Sequence, residues 1–113
     1  MIKSVLVVDG EVIVDAEFTG HSGFAPAGGD IVCAAVSAII ESYKLAVSTL
    51  DGCTVDQFDD GRVYRLRLEC YEDRNIGILE GASRVVLCGL KSLSLLHCDY
   101  FKITIKELKH GSS

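Results

Sequence analysis

The chain has 113 residues, 49% of them hydrophobic, with no proline- or serine-rich break, which fits one domain over residues 1–109 and a polar tail over residues 110–113. Eleven Lys and Arg against sixteen Asp and Glu leave a net charge of -5, opposite to the field that draws proteins onto phosphate backbones, so no direct nucleic-acid partner is expected. Five cysteines, an odd number, together with no secretory leader and no apolar run approaching the ~18 residues of a membrane span, point to reduced thiols in a cytoplasmic protein that needs no membrane.

Residues 2–8 read as a strand. Asp9-Gly10 is the dipeptide favoured in a type I′ hairpin, and Val12, Val14, Ala16 and Phe18 then alternate with Asp15, Glu17 and Thr19 in a second strand. That strand ends at Gly20-His21. Residues 22–29 (Ser22, Gly23, Phe24, Ala25, Pro26, Ala27, Gly28, Gly29) hold three glycines and the single proline, a composition expected to form a flexible loop.

Asp30 is a good N-cap. From there Val32, Val36, Ile39, Tyr43, Val47 and Leu50 recur at three-to-four spacing, the apolar face of a helix ending near Asp51-Gly52. Asp59-Asp60-Gly61 marks a second turn, after which Tyr64, Leu66, Leu68 and Cys70 alternate with polar residues, with residues 53–58 as the weaker arm of that hairpin. Residues 75–97 are helical in pattern, with Ile76, Leu79, Val86, Leu90 and Leu93 on one stripe and Ile78, Val85 and Leu96 on a second row. A single core-facing stripe does not use both rows, and a subunit this small is a candidate for dimerisation. Phe101, Ile103 and Ile105 alternate with polar residues in a last strand. The expected fold is α+β, two helices on a β-sheet in the order β-β-α-β-β-α-β.

His21 and Cys33 stand twelve positions apart, the first at a strand end and the second in what reads as the first turn of the helix. With Asp30 as cap, Cys33 is the third helical residue, where free backbone N–H groups and the helix dipole favour a thiolate, and an imidazole that reaches it would do the same. Asp30 either caps the helix or orients His21. On the helical wheel Cys33 sits at the edge of the apolar face with Ser37 one turn later, and the glycine loop could supply N–H donors to an oxyanion.

Competing chemistries fit less well. A lone cysteine in an apolar helix is usually a small hydrophobe, although His21 and the glycines beside Cys33 argue against that here. The glycines do not make a phosphate loop, because no Lys followed by Ser or Thr opens the helix. There is no C-x-x-C pair and no ligand spacing among Cys53, Cys70, Cys88 and Cys98, so no metal or cofactor is expected, and these four read as core residues. A thiol switch would need a resolving cysteine near Cys33, and the sequence offers none. His97 suits a helix C-terminus and His110 a polar tail. Arg62, Arg65 and Arg67 read as the solvated face of a strand.

The stretch from Gly20 to Ser37, Gly-His-Ser-Gly-Phe-Ala-Pro-Ala-Gly-Gly-Asp-Ile-Val-Cys-Ala-Ala-Val-Ser, resembles the signature of the ribosomal-processing cysteine protease Prp family, and Gly89-Leu90-Lys91-Ser92 also looks like it. The resemblance implies a homodimeric cysteine endopeptidase that removes an N-terminal extension from ribosomal protein L twenty-seven of the bacterial large subunit, cutting after a phenylalanine-containing motif and so supporting ribosome assembly. Carried onto matching positions, it makes His21 the base and Cys33 the nucleophile, with Gly20, Gly23, Asp30 and Ser37 as supporting motif residues. Pro26 and Gly28-Gly29 depart from bulkier or charged loop residues in the family, and Leu93 to Cys98 replace positions that are often acidic there. The alternative reading is a noncatalytic ribosome-assembly factor that binds the same hydrophobic peptide.

Overall fold

The computed structural model describes residues 1–20 and 27–109, with residues 27–30 described by their backbone alone. His21, Ser22, Gly23, Phe24, Ala25, Pro26 and His110 lie outside the described residues. Among the described residues, five strands and two α-helices follow one another in the expected order: β1 Ile2–Asp9, β2 Val12–Thr19, α1 Ala27–Ser48, β3 Cys53–Asp59, β4 Val63–Cys70, α2 Ile76–Leu96 and β5 Phe101–Glu107. The sheet order is β3-β4-β2-β1-β5, with β5 parallel to β1 and the other neighbours antiparallel. Both helices pack against the sheet.

The first hairpin differs in detail from the expected type I′ turn. Asp9 pairs with Val12, so the turn residues are Gly10 and Glu11, and the positive φ of 63° falls on Gly10 alone. Glycine at the first central position is the type II′ arrangement, with the same hand of twist. Along β2 the simple alternation also breaks. Val8 pairs with Ile13 and Val7 with Asp15, leaving Val14 as an extra residue, a β-bulge. The bulge reverses which side chains face inward, so Ile13 is buried instead of Val12 or Val14, and Ala16 and Phe18 follow it into the core.

A buried polar network sits at the bulge. The Ile13 N–H donates to Ser83 Oγ at 3.0 Å, the Tyr43 hydroxyl donates to the Ile13 carbonyl at 2.8 Å, and Tyr43 and Ser83 oxygens lie 3.1 Å apart. One residue from each helix thus satisfies both backbone groups of one strand residue. Burial of Tyr43 pushes its hydroxyl pKa up to about 12, against a smaller opposing effect of the Ser83 hydrogen bond.

The core is the joint product of Leu6 and Val8 from β1, Phe18 from β2, Leu66 and Leu68 from β4 and Phe101 from β5, closed over by the helices. Helix α1 contributes Val32, Val36, Ile40, Tyr43 and Val47, and α2 contributes Leu79, Val86 and Leu90. Residues Ile31–Ser48 reach a mean hydropathy of 1.6 over 18 residues, which by length and composition alone would suffice to cross a membrane, contrary to the expectation that no segment comes close. Their regular three-to-four spacing of buried side chains is what a core helix lying on a sheet requires. On the outer face of the sheet Arg65 grips Asp15 through two contacts of 2.9 and 3.3 Å, and Arg67 adds a third at 3.4 Å, so these arginines form a solvated strand face.

Candidate active site

Helix α1 starts at Ala27, not at Asp30. Ala27, Gly28 and Gly29, expected in a loop, therefore belong to its first turn, and Asp30 is its fourth residue rather than its cap. Cys33 becomes the seventh residue. The free N–H groups of a helix belong to its first four residues, and the dipole fades beyond the first turn, so Cys33 lies past both, where a start at Asp30 would have put it among them.

Cys33 is half-buried against the rim of the core. It opens into a cleft of about 240 Å³ between α1 and the β3–β4 hairpin. Ile2, Phe18, Val36 and Ile40 give the cleft an apolar lining, while Ser37, Glu41, Gln57, Asp59 and Tyr64 give it polar groups. Cys33, Ser37 and Glu41 fall on one ridge of α1 because they are four residues apart. Eight residues of helix separate Cys33 from Glu41, about 12 Å of axial rise. That length matches three or four residues of extended peptide at ~3.3 Å each.

The far end of the cleft is tied across. The Tyr64 hydroxyl donates to Glu41 Oε1 at 3.2 Å, Glu41 also pairs with Lys44 at 3.2 Å, and Lys44 Nζ donates to Gln57 Oε1 at 2.6 Å. Burial, and then the Glu41 carboxylate, drive the Tyr64 hydroxyl pKa well above its ordinary value, so it donates as a neutral phenol. Its ring meets Phe18 edge-on with centroids 6.2 Å apart, a favoured aromatic geometry. Phe18, Gln57, Asp59 and Tyr64 do not stand out in the sequence, because the sheet order that brings β2 and the β3–β4 hairpin beside α1 is not written in any local pattern. Glu41 had a legible signal in the four-residue ridge from Cys33.

Gly20 follows the end of β2 in a conformation that favours glycine. Its φ is 86°, and a Cβ there would collide with the Met1 carbonyl oxygen. The chain turns out of β2 at that point, two residues beyond Phe18, which lines the Cys33 cleft. His21 comes next in sequence, outside the described residues. Of the other expected site residues, Ser37 lies exposed on the cleft, Gly23 lies outside the described residues, and Asp30 has a described backbone only.

The other cysteines divide into two kinds. Cys53 and Cys70 are half-buried against the core, as expected, but Cys88 and Cys98 are exposed on the surface, which corrects the reading of all four as core residues. Their positions at the outer side and the end of α2 explain the difference. His97 does end α2, where its N–H donates to the Leu93 carbonyl.

Known proteins place this arrangement in a family. The model of the family described as cysteine protease Prp matches residues 1–102. The SMU.848 protein of Streptococcus mutans is similar over 96% of both chains, with 25% identity and a TM-score of 0.80. The ribosomal processing protease Prp of S. aureus in complex with a substrate peptide matches 94% of this chain and 100% of its own, with 23% identity and a TM-score of 0.76, which shows a shared fold. The same S. aureus protease with a covalently linked product peptide matches over the same shares at 25% identity and a TM-score of 0.73. No curated protein matches the sequence significantly. With its family model spanning nearly the whole folded domain, the chain belongs to the Prp family of cysteine proteases.

Proposed function

We propose that the chain is an endopeptidase that removes the N-terminal extension of ribosomal protein L twenty-seven, with Cys33 as nucleophile and His21 as base. The observation that carries this reading is the position of Cys33, half-buried at the head of a partly apolar cleft long enough for a short extended peptide. The sequence Gly20-His21 supports it from the other side, because β2 delivers the chain to His21 just past a residue that lines the same cleft.

In the reaction, His21 takes the Cys33 proton as the thiolate attacks the scissile carbonyl, and backbone N–H groups hold the oxyanion. The amine leaves with a proton returned by His21, and water then hydrolyses the thioester. The apolar lining receives the hydrophobic side chains before the cut. The reaction takes place in the cytoplasm, where ribosomes are assembled.

The protein acts as a homodimer in this reading. Val85 and Leu95 on α2 are 73% and 82% exposed, and Ile78 and Leu96 are exposed with them, an apolar surface that a second subunit would cover.

The test is incubation with the extended ribosomal precursor, followed by intact mass. Shortening by one N-terminal segment is expected. Stable association without any change in precursor mass would instead make the protein a binding factor.

A further inference from the structure

Cys53 opens β3 and Cys70 closes β4, and the two are direct partners in the antiparallel register. The hydrogen bonds on either side of the hairpin fix what kind of partners they are. The Tyr71 N–H donates to the Gly52 carbonyl at 2.7 Å, and at the far end the Asp60 N–H donates to the Val63 carbonyl at 3.3 Å. Antiparallel pairs alternate between hydrogen-bonded and non-hydrogen-bonded, so the Cys53–Cys70 pair next to Gly52 and Tyr71 is non-hydrogen-bonded, as its odd, seven-residue separation from the hydrogen-bonded Asp60–Val63 pair also requires. Such pairs bring their Cα atoms to about 4.5 Å and their side chains together on one face, inside the ~4.4–6.8 Å window a disulfide spans.

The immediate surroundings agree with two thiols in contact. Burial first, and then a hydrogen bond to Cys70, push the Cys53 thiol pKa above its ordinary value. Asn75 Nδ2 approaches Cys53 Sγ at 3.7 Å while donating to the Asp51 carbonyl at 2.6 Å, and the Cys70 thiol donates to the Glu72 carbonyl at 3.3 Å. Cys70 also lines an open cleft of about 860 Å³, so a small reagent can reach it. Glu69, Glu72 and Asp73 on that cleft favour an uncharged reagent over an anionic one.

We propose that Cys53 and Cys70 are an oxidation site, forming a reversible cross-strand disulfide by exchange with a low-molecular-weight disulfide, separate from the Cys33 nucleophile. The thiolate of one cysteine attacks a sulfur of the small disulfide, forming a mixed disulfide and releasing one small thiol. The thiolate of the second cysteine then attacks the protein sulfur of that bond, and the second small thiol leaves. Two small thiols carry away the two protons and the two electrons that the cysteines lose. The new bond clips the base of the hairpin whose other half presents Gln57, Asp59 and Tyr64 to the Cys33 cleft.

Trypsin separates the sites cleanly, because Cys53 falls in residues 45–62 and Cys70 in residues 68–74, apart from the peptides of the other three cysteines. The reduced full chain is incubated with excess bis(2-hydroxyethyl) disulfide, blocked with iodoacetamide, digested without reductant and mapped by mass spectrometry. The expected result is the 45–62 and 68–74 peptides joined, lighter by about 2 Da than their reduced sum and separated again by dithiothreitol. A non-reducing gel should show the linkage within one chain, and Cys70→Ser should abolish it. Alkylated Cys53 and Cys70, separate hydroxyethyl adducts on both that persist, or linkage to a second chain would each overturn the proposal.

Discussion

The Tyr64 hydroxyl reaches across from β4 to Glu41 on α1 at 3.2 Å, two helical turns from Cys33 on the same ridge. One hydrogen bond therefore bounds the cleft that starts at the cysteine. Replacing Tyr64 with Phe keeps the ring against Phe18 and removes only the tie. The expected loss of stability is about 1 kcal/mol or less, with KM for an extended peptide raised several-fold and kcat nearly unchanged. Steady-state kinetics together with denaturant unfolding read both.

The Tyr43, Ser83 and Ile13 network makes a pH-dependent contribution. With the Tyr43 pKa pushed up to about 12 in the folded state, the folded protein keeps the phenol neutral where the unfolded chain, near 10, begins to ionise it. Its contribution is thus complete below pH ~10 and is lost as pH rises toward 12, by at most about 1.4 kcal/mol per pH unit. Urea unfolding of the wild type over that range should show this slope. Tyr43→Phe should flatten the slope while costing about 1–3 kcal/mol at pH 7, because the Ile13 carbonyl and Ser83 lose a buried partner.

Gly20 and Gly10 give a matched pair. Both have positive φ, but only Gly20 has backbone in the space a Cβ would fill. Gly10→Ala should cost about 1 kcal/mol from backbone strain alone. Gly20→Ala should cost at least ~2 kcal/mol, since strain and collision add, and should displace His21 enough to lower peptidase activity more than its stability loss explains. Melting curves and rates at a temperature where both variants are folded separate the two effects.

Element order and most inward-facing residues were legible in the sequence because period-2 and period-3.6 patterns follow directly from strand and helix geometry. The failures have physical causes. The bulge at Val14 shifts the inward set by one residue, which leaves an apolar alternation along Val12, Val14, Ala16 and Phe18 that looks unbroken. The positive φ at Gly10 selects a different turn from the one Asp9-Gly10 suggests. The glycines before Asp30 look like loop residues on intrinsic propensity, yet the backbone there is helical. Cys33 and Ser37 were legible as one ridge of a helix, whereas Tyr64, Gln57 and Asp59 reach the cleft through sheet order, which local sequence does not encode.

The early start of α1 is itself testable. With helical backbone at Gly28 and Gly29, replacing either by Ala should raise stability by up to ~1 kcal/mol, since Ala forfeits less chain entropy in a helix. The melting temperature checks it, and a fall for both variants would return these residues to a loop.

Helix α2 carries the prediction for assembly. Val85→Glu places a charge in the centre of its exposed apolar row and should convert a dimer to a monomer on size-exclusion chromatography with light scattering, while the fold, which does not bury Val85, stays intact by circular dichroism.

The most direct test of the account compares the wild type with Cys33→Ala and His21→Ala on the extended ribosomal precursor, reading the released N-terminal segment by mass. The account predicts cleavage by the wild type, none by Cys33→Ala, and a loss of at least ~100-fold for His21→Ala, with both variants folded. Release of the same segment by Cys33→Ala at the wild-type rate would contradict it.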